Sequence, residues 1–77
     1  MKVYIAANGE YGCMFDNQVP FGSYKAACDY LIDLFDMKHT RAAGELRRNG
    51  TVAIRPKFQG AAYCEVYEAD AGDFDFT

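Results

Sequence analysis

Residues 2–15, KVYIAANGEYGCMF, alternate apolar and small or polar positions in the pattern of a β-hairpin. Asn8-Gly9 lies at the centre of the stretch, and this pair favours the tight turn whose two central residues both need positive φ. A two-residue turn there predicts Ala7 opposite Glu10, Ile5 opposite Gly12 and Val3 opposite Met14. One face then carries Val3, Ile5 and Met14, and the other Tyr4, Tyr11, Cys13 and Phe15. Both faces are apolar enough to place the hairpin at the centre of a sheet or under cover on both sides. DNQVPFG, residues 16–22, reads as a polar connection interrupted by Pro20.

The period then changes. Ser23 is a natural N-cap for YKAACDYLIDLFDM, 24–37, where Tyr24, Ala27, Cys28, Leu31, Leu34 and Phe35 form one apolar stripe. Asp29, Asp33 and Asp36 fall on the opposite side. Thr40 caps a second predicted helix, RAAGELRRN, which stops at Gly50, a residue suited to the left-handed position past a last turn, with Val52 available for the accompanying apolar contact. Ala42, Ala43 and Leu46 form its small inward face, and Gly44 points to close approach by another element. TVAIRP and AAYCEVYEA read as two further strands, with Val52 opposite Val66, Ile54 opposite Cys64, and Phe58-Gln59-Gly60 as the loop. Tyr63, Glu65 and Tyr67 point away from that apolar side.

The expected fold is α+β: one small domain in the order β-β-α-α-β-β, an antiparallel sheet of two hairpins packed against two helices. Residues 1–69 form the domain, and 70–77, DAGDFDFT, an acidic tail short of aliphatic side chains. At 77 residues and 51% hydrophobic, with six Tyr and six Phe, the chain supports one small core and leaves aromatic surface for a partner. No apolar run is long enough to span a membrane, and residues 1–9 lack the apolar stretch of a signal peptide, so a cytoplasmic protein is expected. Three cysteines, Cys13, Cys28 and Cys64, without paired spacing read as apolar fillers rather than a disulfide or zinc framework.

The net charge of −3 conceals a division along the chain. Residues 38–57 hold six of the eight basic residues, against one acid, Glu45, whereas 58–77 hold five acids and no base. Arg41–Glu45 and Glu45–Arg48 have the spacing of ion pairs within one helix. Two helices followed by a β-hairpin resemble the winged helix-turn-helix in element order. That resemblance implies nucleic-acid binding by Lys38, Arg41, Arg47, Arg48, Arg55 and Lys57, since arginine suits both phosphates and guanine edges.

The other candidate surface is acidic. Asp29, Asp33 and Asp36, with Glu65, Glu68, Asp70, Asp73 and Asp75, offer a row of carboxylates resembling that of DNA, and Phe74 and Phe76 offer apolar anchors. His39 is the sole histidine and lacks a spaced nucleophile partner, and the glycines form no phosphate-binding loop. No enzyme, cofactor or metal is expected. Small size, acidity and aromatic richness without catalytic groups resemble small phage-encoded inhibitors of host machinery, including anti-CRISPR proteins. The resemblance implies a non-enzymatic inhibitor or modulator, working in the host cytoplasm, whose partner is a protein complex with a basic nucleic-acid-binding groove. The alternatives are the nucleic-acid regulator above and a homodimer joined through hairpin edges.

Overall fold

The computed structural model describes residues 2–10, 14–54, 62–70 and 72. The elements follow the expected order: β1 (Lys2–Glu10), β2 (Phe15–Phe21), α1 (Tyr24–Leu34), α2 (Arg41–Asn49), β3 (Thr51–Ile54) and β4 (Ala62–Asp70). The strands form one antiparallel sheet in the order β2-β1-β4-β3, so the first and last strands lie side by side at its centre.

That central pairing corrects the first predicted hairpin. β1 does not turn at Asn8-Gly9 but runs on to Glu10, paired with β4 from Lys2↔Asp70 to Glu10↔Ala62. A long ladder to a distant strand has overridden a local turn preference. β2 accordingly begins at Phe15 and includes the stretch read as a connection, with Ala6↔Val19 and Ile5↔Pro20. A proline is tolerated there because β2 is an edge strand. Gly9 marks a bulge instead: the register steps from Asn8↔Asn17 to Gly9↔Phe15, leaving Asp16 as the extra residue. A Cβ at Gly9 would lie 2.9 Å from the Met14 carbonyl oxygen and 3.0 Å from Phe15 Cα. In the second hairpin Val52 pairs with Cys64 and Ile54 with Ala62, two residues from the expected register. A slip of two keeps every side chain on its expected face. The loop read at 58–60 lies outside the described residues, as do Tyr11, Gly12 and Cys13.

The helices cover one side of the sheet. Ala6, Val52, Cys64 and Val66 meet Ala27, Cys28, Leu31, Ile32, Met37, Ala43 and Leu46 in a single cluster, with Tyr4, Phe21, Tyr24 and Tyr30 around it. Burying a leucine such as Leu31 or Leu46 contributes about 1.5–3 kcal/mol. The apolar stripe of α1 is displaced from its expected position: Ile32 is buried, and Leu34 is 51% exposed.

The helix ends explain this. Ser23 Oγ accepts the Ala26 N–H at 3.1 Å, the expected cap. At the other end α1 stops at Leu34 rather than Met37. Asp36 takes the left-handed conformation (φ 53°), and Met37 N–H bonds back to the Ile32 carbonyl at 2.8 Å. This is a Schellman closure with aspartate where glycine is usual, and it drives Met37 into the core at 3% exposure. Thr40 precedes α2, but its side chain does not cap the helix; its hydroxyl donates to the Met37 carbonyl.

Gly50 ends α2 as expected, with φ 75° and its N–H on the Leu46 carbonyl at 2.8 Å. Its own carbonyl accepts the Val66 N–H at 2.7 Å, and the Tyr24 hydroxyl lies 3.1 Å from both the Leu46 and Arg47 carbonyls, its proton shared between them. Helix end, sheet and α1 are thus joined within the last turn of α2 and its Gly50 cap. Gly50→Ala would add a Cβ 3.0 Å from the Val66 carbonyl oxygen in a left-handed backbone. Urea unfolding is expected to register a loss of at least about 1–2 kcal/mol, the cost of that conformation alone for a residue with a Cβ. An unchanged midpoint would refute this account of the junction.

Candidate functional site

The candidate acids do not form one row. Asp29 faces α2, where its carboxylate meets Lys25 Nζ at 2.8 Å and the Arg47 guanidinium at 3.3 Å. The hydrogen bond from Lys25, then the one from Arg47, hold its carboxyl below the ordinary carboxylate value. Arg47 belongs to the basic candidate surface and Asp29 to the acidic one, and the packing of α1 on α2 makes them partners.

Strand alternation scatters the acids of β4. Glu68 points to the helix side and pairs with Lys2 at 2.6 Å. Asp70 ends the strand, with Oδ1 accepting the Gly72 N–H at 3.0 Å. Glu65 stands on the opposite side of the sheet, where its Oε1 accepts the Tyr63 hydroxyl at 3.2 Å. Asp73, Phe74, Asp75 and Phe76 lie outside the described residues.

Asp33 and Asp36 differ from these. Both are exposed, and neither has an ion pair among the described residues. They sit at the C-terminal end of α1, whose carbonyl dipoles disfavour negative charge. Between them stand the half-exposed Leu34 and the partly buried Phe35. The closure at Asp36 creates this knob by reversing the chain one turn earlier than the apolar periodicity implies. No glycine flags the reversal, so the sequence gives little sign of it.

Of the basic residues, Arg47 is committed to Asp29. Lys38, Arg41 and Arg48 are exposed and free of ion pairs among the described residues. Glu45 pairs with neither Arg41 nor Arg48, contrary to its spacing; the Arg48 side chain folds back over Gly44, where Nη1 would lie 3.3 Å from an added Cβ. Arg55 and Lys57 lie outside the described residues.

Cys28 and Cys64 are fully buried free thiols in the core, and burial pushes the Cys64 thiol up to about 11. Such thiols are packing groups, not nucleophiles at neutral pH. Among the described residues no group of three His, Cys, Asp or Glu side chains is arranged to hold a metal ion, and no helix is long and apolar enough to cross a membrane. No protein-family model, curated protein or solved structure matches the chain.

The Asp29 pairs give a pH signature. A carboxyl lowered on folding adds stability above its ordinary value of 3.8, and that contribution is lost as pH falls through the lower folded value. Asp29→Asn is therefore expected to unfold at lower urea than the parent at neutral pH. The two should converge as pH falls past the lowered folded value, where both carry an uncharged group at this position. A gap independent of pH would show that Asp29 contributes through packing alone.

Proposed function

We propose that this protein is a small non-enzymatic binding protein that inhibits or modulates a nucleic-acid-processing protein complex, docking its acidic surface on a basic groove. The type is that of phage-encoded anti-CRISPR or host-takeover proteins, acting in the host cytoplasm. One observation carries the reading: Asp33 and Asp36 flank Leu34 at the end of α1, charged, unpaired among the described residues and adverse to the helix dipole. Stability alone would not place carboxylates there. An apolar side chain framed by charges is the composition of an interface anchor, with Leu34 entering a pocket and the aspartates steering approach. The acidic surface of this reading is therefore narrower than the sequence implies. Asp29 and Glu68 are neutralised within the chain, and Glu65 faces the other way.

A second reading rests on Lys38, Arg41 and Arg48. Arg41 and Arg48 are seven residues apart on α2 and share a side, so these two can contact phosphates of one strand, with Lys38 in the turn before the helix. The surface is smaller than the winged-helix comparison implies, because Arg47 is bound to Asp29.

Capture from a bacterial lysate, with and without nuclease, separates the two. The inhibitor reading expects a protein partner retained after nuclease. It also expects Asp33→Lys with Asp36→Lys to slow association on the order of tenfold at low salt, with the difference shrinking as salt screens the charges. Leu34→Ala should chiefly speed dissociation. Loss of capture on nuclease treatment, or a salt-sensitive DNA gel shift removed by Arg41→Ala with Arg48→Ala, would put the nucleic-acid reading first.

A further inference from the structure

Asn8-Gly9, the pair whose turn signal the fold overrides, has a second chemical property. In an open chain, asparagine before glycine is the sequence most prone to lose its side-chain amide, because no Cβ hinders the following nitrogen. The Gly9 nitrogen gives up its proton and bonds to Asn8 Cγ, and Nδ2 leaves as ammonia. Water then opens the cyclic imide at either carbonyl. Opening at Cγ restores the main chain and leaves aspartate. Opening at the main-chain carbonyl leaves isoaspartate, with an extra carbon in the backbone. Water is consumed and ammonia released, and no oxidant or reductant is needed.

The sheet opposes the first step. Ring closure requires the peptide between Asn8 and Gly9 to rotate toward the Asn8 side chain, and both residues are paired on both flanks. Asn8 pairs with Asn17 and Cys64, and Gly9 with Phe15 and Tyr63. The Phe15 and Tyr63 rings straddle Gly9, nearly parallel with centroids 6.0 Å apart. The Tyr67 hydroxyl crosses β1 to donate to Gln18 Oε1 on β2, a strap just before the pair. Gly9 itself is fixed by the bulge, since a Cβ there would lie 2.9 Å from the Met14 carbonyl oxygen. The bulge thus keeps a reactive pair at the centre of the sheet, and the pairing keeps it closed.

The products do not fit the closed structure. Asn8 Oδ1 is buried and has no hydrogen-bond partner among the described residues, so a carboxylate there would be desolvated without a donor. Its row of the sheet continues through Cys64 and Val52 of the apolar core. In isoaspartate the extra carbon throws Gly9 and Glu10 out of register with Tyr63 and Ala62.

We propose that Asn8-Gly9 is a self-modification site whose reaction is confined to opened chains and then bars them from rebuilding the β1–β4 ladder. Molecules that stay unfolded leave the folding equilibrium by this route and do not return. The reaction needs no partner and is independent of the Asp33–Asp36 knob.

The test compares the protein at one pH and temperature in native buffer and in unfolding guanidinium chloride, with peptide mapping to read aspartate and isoaspartate at position 8. Native conversion should be at least about a hundredfold slower, because central strands open only at free energies approaching that of global unfolding. The other Asn-Gly pair, 49–50, lies at the exposed end of α2 and is removed by Asn49→Ala, a helix-compatible change. A partly converted sample of that variant is diluted to refolding conditions, and folded and unfolded molecules are separated by size exclusion. Converted position 8 should be concentrated in the unfolded pool. Asn8→Asp should lower the urea midpoint by more than Asn8→Ala, which leaves no buried acceptor unpaired. A smaller ratio of rates, equal conversion in the two pools, or an Asn8→Asp midpoint no lower than that of Asn8→Ala would each overturn the proposal.

Discussion

The nine-residue ladder between β1 and β4 is the constraint on which the rest of the structure depends. It joins segments from the two ends of the chain, so forming it closes a long loop, and that entropy must be recovered by what the paired strands bury. Recovery comes on both sides: Ala6, Cys64 and Val66 pack against the helices, while Ile5 and Ala7 lie under the Tyr67–Gln18 strap. The cost is visible at Asn8, whose buried Oδ1 has no hydrogen-bond partner among the described residues. A turn at Asn8-Gly9 would have spared that cost and forfeited the pairing of Gly9 and Glu10 with β4.

The charges follow from the same arrangement. With the helices on one side of the sheet, α1 is pressed against α2, and Asp29 and Arg47 become partners. The acids of β4 are divided between two surfaces because neighbouring residues of a strand point opposite ways. The unpaired charges among the described residues include a carboxylate knob at the end of α1 and a cationic side of α2, which differ in sign.

Features set by local chemistry were legible in the sequence. Ser23 caps, Gly50 ends α2, and the order of six elements is as the periodicity implies. Features set by competition between distant segments were not. The strength of Asn8-Gly9 as a turn signal says nothing about what β4 offers in exchange. The end of α1 was hidden because aspartate stands where glycine would announce a left-handed residue, and so Leu34 read as core and Ile32 went unmarked. Of the candidate site, the residue types were legible and their groupings were not. Arg47 and Asp29, 18 residues apart, give no sign in the sequence that they cancel.

The bulge at Asp16 and the proline at position 20 have a consequence for assembly. Both lie in β2, whose outer edge is the longer of the two sheet margins among the described residues. A neighbouring molecule seeking to extend the sheet there would meet a kinked strand and a residue without an amide proton, a poor template for edge-to-edge polymerisation. The opposite margin, β3, offers four described residues. At the β2 margin, main-chain geometry rather than side-chain charge is what disfavours fibrillar growth.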